Sequence, residues 1–379
     1  MANILDYVDW RGDLSFEQDP FNGVDATLFS QIAMLVLDDV FLEYDKLTVY
    51  ETYQVMKKNG IKKYQTMGLY IAGKIVKLLD KMAHSKRYKN LEISHYVNDT
   101  DIEKQIQFSA LTIKLDDKTK CVVFSGTDDT IVGWRENFNL ICVKNIPAQL
   151  ESIKYVEMIS QEADELYICG HSKGGNLSIF STYEVSDETF KKIKKVYSLD
   201  GHGLTHLPTN PENIELRSKV IISLIPQSAM IGRLFNHYEK VKVVHSNAEG
   251  FFQHDTFSWE VLGNKFVIEK NGLDEDAKYI ELKIKNIIAD LTIEEKEEFV
   301  NVIFTAISAA QVKRIGDINR NTLLLIRSFI NLDSTSQKHI TKILLKLVKD
   351  KVIFKHVFVN VKEYLKERDK IKKDKKEIS

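Results

Sequence analysis

The apolar residues of this 379-residue chain follow two different periods, and the switches between them divide it. In the first part they recur every three or four residues: residues 26–42, 49–59 and 68–81 each carry an apolar stripe and predict amphipathic helices, the first with Asp25 as its N-cap. Short dense runs follow. Residues 105–114 and 120–125, rich in Ile, Phe and Val and separated by Asp116-Asp117-Lys118-Thr119, predict a hairpin. Runs at 166–169, 196–199, 219–225 and 241–244 predict further strands, with a helical pattern at 175–183 and a solvated basic turn at 191–195. Strands alternating with helices imply an α/β class with a mainly parallel sheet, helices on both faces and ligands beyond the carboxyl ends of the strands.

From about residue 272 only the helical period remains, with one Gly and no Pro over residues 273–379, which predicts four or five helices and a capping box at Thr292 to Glu295. The expected organisation is an α/β domain over residues 1–270 and an all-helical domain over 271–379, ending in a Lys/Glu-rich, solvated helix end from residue 362. Residues 1–24, where Tyr7, Trp10, Phe16 and Phe21 alternate with Asp and Gly, read as an ordered arm. Its carboxylates are turn and cap residues rather than metal ligands. No internal repeat occurs.

Composition adds exclusions. Hydrophobic residues make up 44% of the chain and the net charge is −1 from nearly equal acids and bases, so a large core is available and no global field points to nucleic acid. Cys121, Cys142 and Cys169 are an odd number in apolar segments without a C-x-x-C pair; they read as buried free thiols in a cytoplasmic protein. Neither a signal peptide nor about eighteen uninterrupted apolar residues is seen, so any membrane contact is expected to be peripheral.

The chemistry concentrates at residues 166–178. An apolar strand there runs into Gly170-His171-Ser172-Lys173-Gly174 and then into a helix, the strand, tight turn and helix of a nucleophile elbow. Small residues two before and two after the serine are required because side chains there would collide with strand and helix, and Gly170 and Gly174 supply them. Ser172 is therefore the candidate nucleophile; the competing reading is a glycine-rich turn. An upstream strand delivers Ser125-Gly126-Thr127, where an α/β-hydrolase takes one oxyanion-hole donor, the other coming from the residue after the nucleophile. Main-chain Thr127 and Lys173 are the candidate pair.

A serine nucleophile needs a base and an acid that holds the base in the correct tautomer. His254 follows the last predicted core strand and completes the order Ser, Asp, His, with His245 as runner-up. His202 and His206 precede the strand expected to bring the base, and His171 is read as pointing elsewhere from inside the elbow. Asp200 ends the first strand after the elbow and is the preferred acid, against the reading of a turn-forming Asp before Gly. Asp255 is too close in sequence to His254 to orient it.

With these residues assembled, the chain resembles the class 3 lipase-like α/β-hydrolases, most closely a bacterial branch of them. The resemblance lies in residues 9–16, 124–134 and 170–176, in Asp200-Gly201 and in Gln253-His254-Asp255, and spans about residues 1–265. It implies an α/β-hydrolase fold over that span and a serine hydrolase of carboxylic esters or lipids, with no cofactor and no metal. Two departures stand out: such lipases usually place Arg where this chain has Ser125, and an acid where it has Gln227 or Ser228. The alternative is a catalytically silent hydrolase fold that recruits a protein partner through its helical C-terminal part.

Overall fold

The computed structural model describes residues 1–64, 72–310 and 341. Eight strands form one sheet in sequence order: β1 (Lys46–Thr48), β2 (Glu92–Asp101), β3 (Ile106–Lys114), β4 (Thr119–Phe124), β5 (Glu165–His171), β6 (Ile193–Leu199), β7 (Ile221–Pro226) and β8 (Lys240–Val244). Pairings from β1 to β4 are antiparallel, including the expected β3–β4 hairpin; those from β4 to β8 are parallel. A two-stranded ribbon, β9 (Val261–Leu262) with β10 (Lys265–Phe266), closes the strand set.

Side chains alternate across each strand, so the sheet buries two faces. Cys121, Val123 and Cys169 join a core with α1 (Ile4–Arg11), α2 (Gly23–Ile32), α4 (Val49–Lys58) and α6 (Ala72–Ala83). Val122, Phe124 and Ile168 face the opposite core under α8 (Pro147–Ser160) and α9 (Lys173–Glu184). The short helices α3 (Asp38–Phe41), α5 (Ile61–Tyr64), α10 (Asp187–Lys192) and α11 (Ile214–Ser218) cover the margins. The strands that carry α9 are therefore enclosed on both sides, which accounts for their continuous apolar runs.

Several local expectations are corrected. The helix expected over 26–42 ends at Ile32, and α3 follows separately, so that Met34 leaves helical geometry and lays its sulfur against the Gly126 N–H at 2.9 Å. Its N-cap is Asn22, whose Oδ1 accepts the Val24 N–H; Asp25 sits at the third helical position and is fully buried. Asp25 accepts from Arg87 Nη2 at 2.6 Å and Nε at 3.0 Å, the two donors of one guanidinium edge, and from Tyr88 at 2.6 Å. Asp25 is thus not the N-cap itself but the third residue of its capping box, accepting the Asn22 N–H at 3.0 Å while also pairing with Arg87 in a buried ion pair. Residues 191–195 finish α10 and begin β6 instead of forming a turn. Of the cysteines, Cys121 and Cys169 are buried free thiols with sulfurs 3.7 Å apart, while Cys142 is only half-buried.

Beyond the sheet come α12 (Glu275–Ala289) and α13 (Ile293–Ala309), the latter begun by the expected Thr292 capping box. Their contacts reach back to the sheet domain. Glu281 pairs with Arg233 at 2.7 Å, and Val300, Phe304 and Ile307 pack on Ile131, Trp134 and Phe138 of α7 (Ile131–Asn139). The remaining helices expected from the sequence, and the charged tail from residue 362, lie outside the described residues.

Candidate active site

β5 lies in the interior of the sheet between β4 and β6, and the chain turns sharply where it ends. Ser172 holds φ +58° and ψ −122°, a conformation that costs an L-residue on the order of 1–3 kcal/mol and persists only where the surroundings impose it. They do so here: a Cβ on Gly170 would lie 2.3 Å from the Gly174 carbonyl carbon, and one on Gly174 would lie 2.3 Å from the Phe124 oxygen. The two glycines let β5, α9 and the end of β4 approach one another. The Ser172 N–H donates to the Leu199 carbonyl at 2.9 Å, tying the turn to the end of β6.

Asp200 follows β6 immediately, with φ +45° and its side chain buried. One carboxylate oxygen accepts the Gly232 N–H at 3.0 Å; the other lies 2.6 Å from His254 Nδ1. Its two readings are thus compatible, since a residue at a positive-φ turn also faces the histidine. His254 ends the 3-10 turn Gly250–His254, which Gln253 braces by accepting the Ser228 N–H at 2.7 Å and donating to the Ala248 carbonyl at 2.9 Å. At the place where the family resemblance leads one to expect an acid, Gln227 exchanges two 2.8 Å bonds with the main chain of Ser246 and clamps the end of β7 to that of β8.

His245, His206 and Asp255 are engaged elsewhere. His245 pairs with Glu269 at 3.0 Å, His206 bonds Thr205 at the surface, and Asp255 caps the next 3-10 turn while pairing with Lys74 at 2.7 Å. Burial pushes the His202 imidazole down to about 4, and its Nε2 has no hydrogen-bond partner among the described residues. His171 corrects the sequence reading. Rather than pointing away, its ring lies on that of His254 with centroids 4.5 Å apart, and its Nε2–H donates to the His254 carbonyl at 2.9 Å. Burial first, then the neighbouring His254, holds the His171 imidazole well below its usual range. Only adjacency to Ser172 hinted at this contact, because its partner lies in a loop distant in sequence.

The loop after β4 carries Thr127, whose Oγ1 accepts from Asn137 Nδ2 of α7 at 2.5 Å. The Lys173 N–H is the first of α9, a position with no intrahelical acceptor. The Lys173 side chain, which sequence reasoning did not single out, is buried. Its Nζ donates to the main-chain and side-chain oxygens of Gln107, both at 2.5 Å, and to Glu136 Oε2 at 2.9 Å. Among the described residues no three His, Cys, Asp or Glu side chains are grouped as a metal ion would require, and no helix is long and apolar enough to cross a membrane.

Chemically, the arrangement offers a strained, half-buried serine at a helix start and, at the end of the next strand, a carboxylate bonded to an imidazole. No curated protein matches the chain. The crystal structure of M37 lipase is similar to it with 13% identity and a TM-score of 0.32, over 48% of this chain and 69% of that one. The family model described as Mbeg1-like matches residues 82–305, more than half of the sequence and including α12 and most of α13, and the chain belongs to that class 3 lipase-like family.

Proposed function

We propose that the chain is a serine hydrolase of carboxylic esters, with lipids among its substrates, in which Ser172 is the nucleophile, His254 the general base and Asp200 the acid that orients it. The observation that carries this reading is the 2.6 Å bond between Asp200 and His254 Nδ1, at the strand ends where the elbow presents Ser172. An imidazole whose Nδ1–H is held by a carboxylate leaves Nε2 to take the serine proton. Ser172 Oγ then attacks the ester carbonyl carbon. The developing oxyanion is met by the N–H groups of Thr127 and Lys173, and collapse of the tetrahedral intermediate expels the alcohol with the proton from His254. Water, deprotonated by the same histidine, releases the acid and regenerates the serine. Asp200, buried beside Gly232, stabilises the imidazolium formed in each half-reaction without itself taking the proton.

A fluorophosphonate probe with p-nitrophenyl ester turnover tests this directly. The wild type should be labelled and active, and Ser172→Ala should lose both while unfolding at the same temperature. An unlabelled, inactive wild type would sink the proposal and leave the reading of a silent binding module.

A further inference from the structure

The buried charge next to the nucleophile does more than fill space. Lys173 Nζ reaches two elements that bracket the Thr127 loop: Gln107 on β3 and Glu136 on α7. Gln107 Oε1 also accepts the Asp128 N–H at 3.4 Å, so the atom that receives the lysine also holds the residue after Thr127. Glu136 Oε2 takes the Gln107 N–H at 3.2 Å, and its Oε1 takes the Ala148 N–H at 2.9 Å, so every acceptor in the cluster is occupied. Asn137, the next residue on α7, bonds Thr127 Oγ1. Main chain and side chain of one residue thus act in two directions: the Lys173 N–H opens α9, and its ammonium holds Gln107, which accepts the Asp128 N–H, and Glu136, whose neighbour Asn137 bonds Thr127.

We propose that the Lys173 side chain, with Glu136 as its counterion, is a positioning residue that sets the spacing between the Lys173 and Thr127 N–H groups, the two donors that would receive the oxyanion. This rests on the reading of Ser172 as nucleophile. Burying a lysine and a glutamate costs desolvation that their attraction about offsets, and hydrophobic residues of equal volume hold a fold as well or better. What the pair supplies is geometry, since the bonds that fill each side-chain oxygen of Gln107 and Glu136 fix the ammonium against both residues. Oxyanion stabilisation depends on such geometry, because a donor works only within hydrogen-bond reach of the position the oxygen reaches in the transition state.

The test compares wild type, the charge-free double variant Lys173→Met/Glu136→Gln, and Gln107→Leu, which keeps the ion pair and removes only the shared side-chain acceptor. Thermal unfolding, fluorophosphonate labelling, kcat and KM for a p-nitrophenyl ester are measured for each. The double variant should lose about 10²–10³-fold in kcat at nearly unchanged KM, as expected for a displaced oxyanion donor. It should still be labelled at Ser172, more slowly. Gln107→Leu should lose about tenfold in kcat, with KM again unchanged, and it supplies the decisive reading if the double variant fails to fold. Wild-type kcat in a folded variant, or a fall matched by loss of folded protein, would overturn the inference and leave the nucleophile reading intact. Absence of Ser172-dependent labelling in the wild type would overturn both.

Discussion

Among the described residues two ion pairs of similar make are fully buried, Arg87 with Asp25 and Lys173 with Glu136. Their settings differ. Arg87 donates to the carbonyls of Leu14, Ser15 and Asp19 and lies 3.9 Å over the Phe16 ring, so its pair fastens the N-terminal segment to α2 on one face of the sheet. Lys173 belongs to the elbow, and its partners flank the Thr127 loop. The same charge chemistry serves assembly in one place and, by the inference above, alignment in the other. What distinguishes them is the element each pair immobilises, not burial or partner type.

Substitutions can break this comparison, and the largest effect belongs to neither pair. Asp200→Asn should lower ester turnover by roughly 10⁴-fold while the fold survives, because asparagine tolerates the positive φ and keeps a hydrogen bond but lacks the charge that stabilises the imidazolium. Asp255→Asn, altering a residue that caps a turn and meets Lys74, should leave turnover within a few-fold of wild type. Near-normal turnover for Asp200→Asn would remove the acid from the scheme.

Arg87→Met should destabilise by about 3–5 kcal/mol in urea titration, since it strands the Asp25 carboxylate without its cation. Turnover per folded molecule should stay at the wild-type value. A selective fall in kcat would mean that the two pairs are not separate in function, and the contrast would fail.

The smallest effect is on pH. His171 and His202 are buried, and both imidazoles are held below the ordinary histidine value, so the unfolded chain binds protons at a pH where the folded protein does not. The stability contributed by their neutral forms is present above about pH 6.5 and is lost as pH falls, for His202 down to its folded value of about 4. Each histidine should steepen the loss by at most about 1.4 kcal/mol per pH unit. A scan of unfolding free energy between those limits should show the slope, and His202→Gln should flatten it; an unchanged slope would show that His202 is protonated in the fold.

Much of this was readable from the amino-acid sequence. Gly170-x-Ser172-x-Gly174 between an apolar strand and a helix specifies its turn locally, because steric room and backbone strain involve residues adjacent in the chain. The hairpin and the Thr292 cap are local in the same sense, and the order of Ser172, Asp200 and His254 follows from chain order alone. Tertiary structure decided the contacts between distant residues. Periodicity carries no record of which loop meets which, so His171 under His254, Gln227 clamping Ser246, and the burial of Asp25 against Arg87 all escaped it. Lys173 combines the two. Its main-chain place beside Ser172 follows from the motif, but its side chain joins β3 to α7 through residues 66 and 37 positions away, and only the folded chain brings those acceptors to one ammonium.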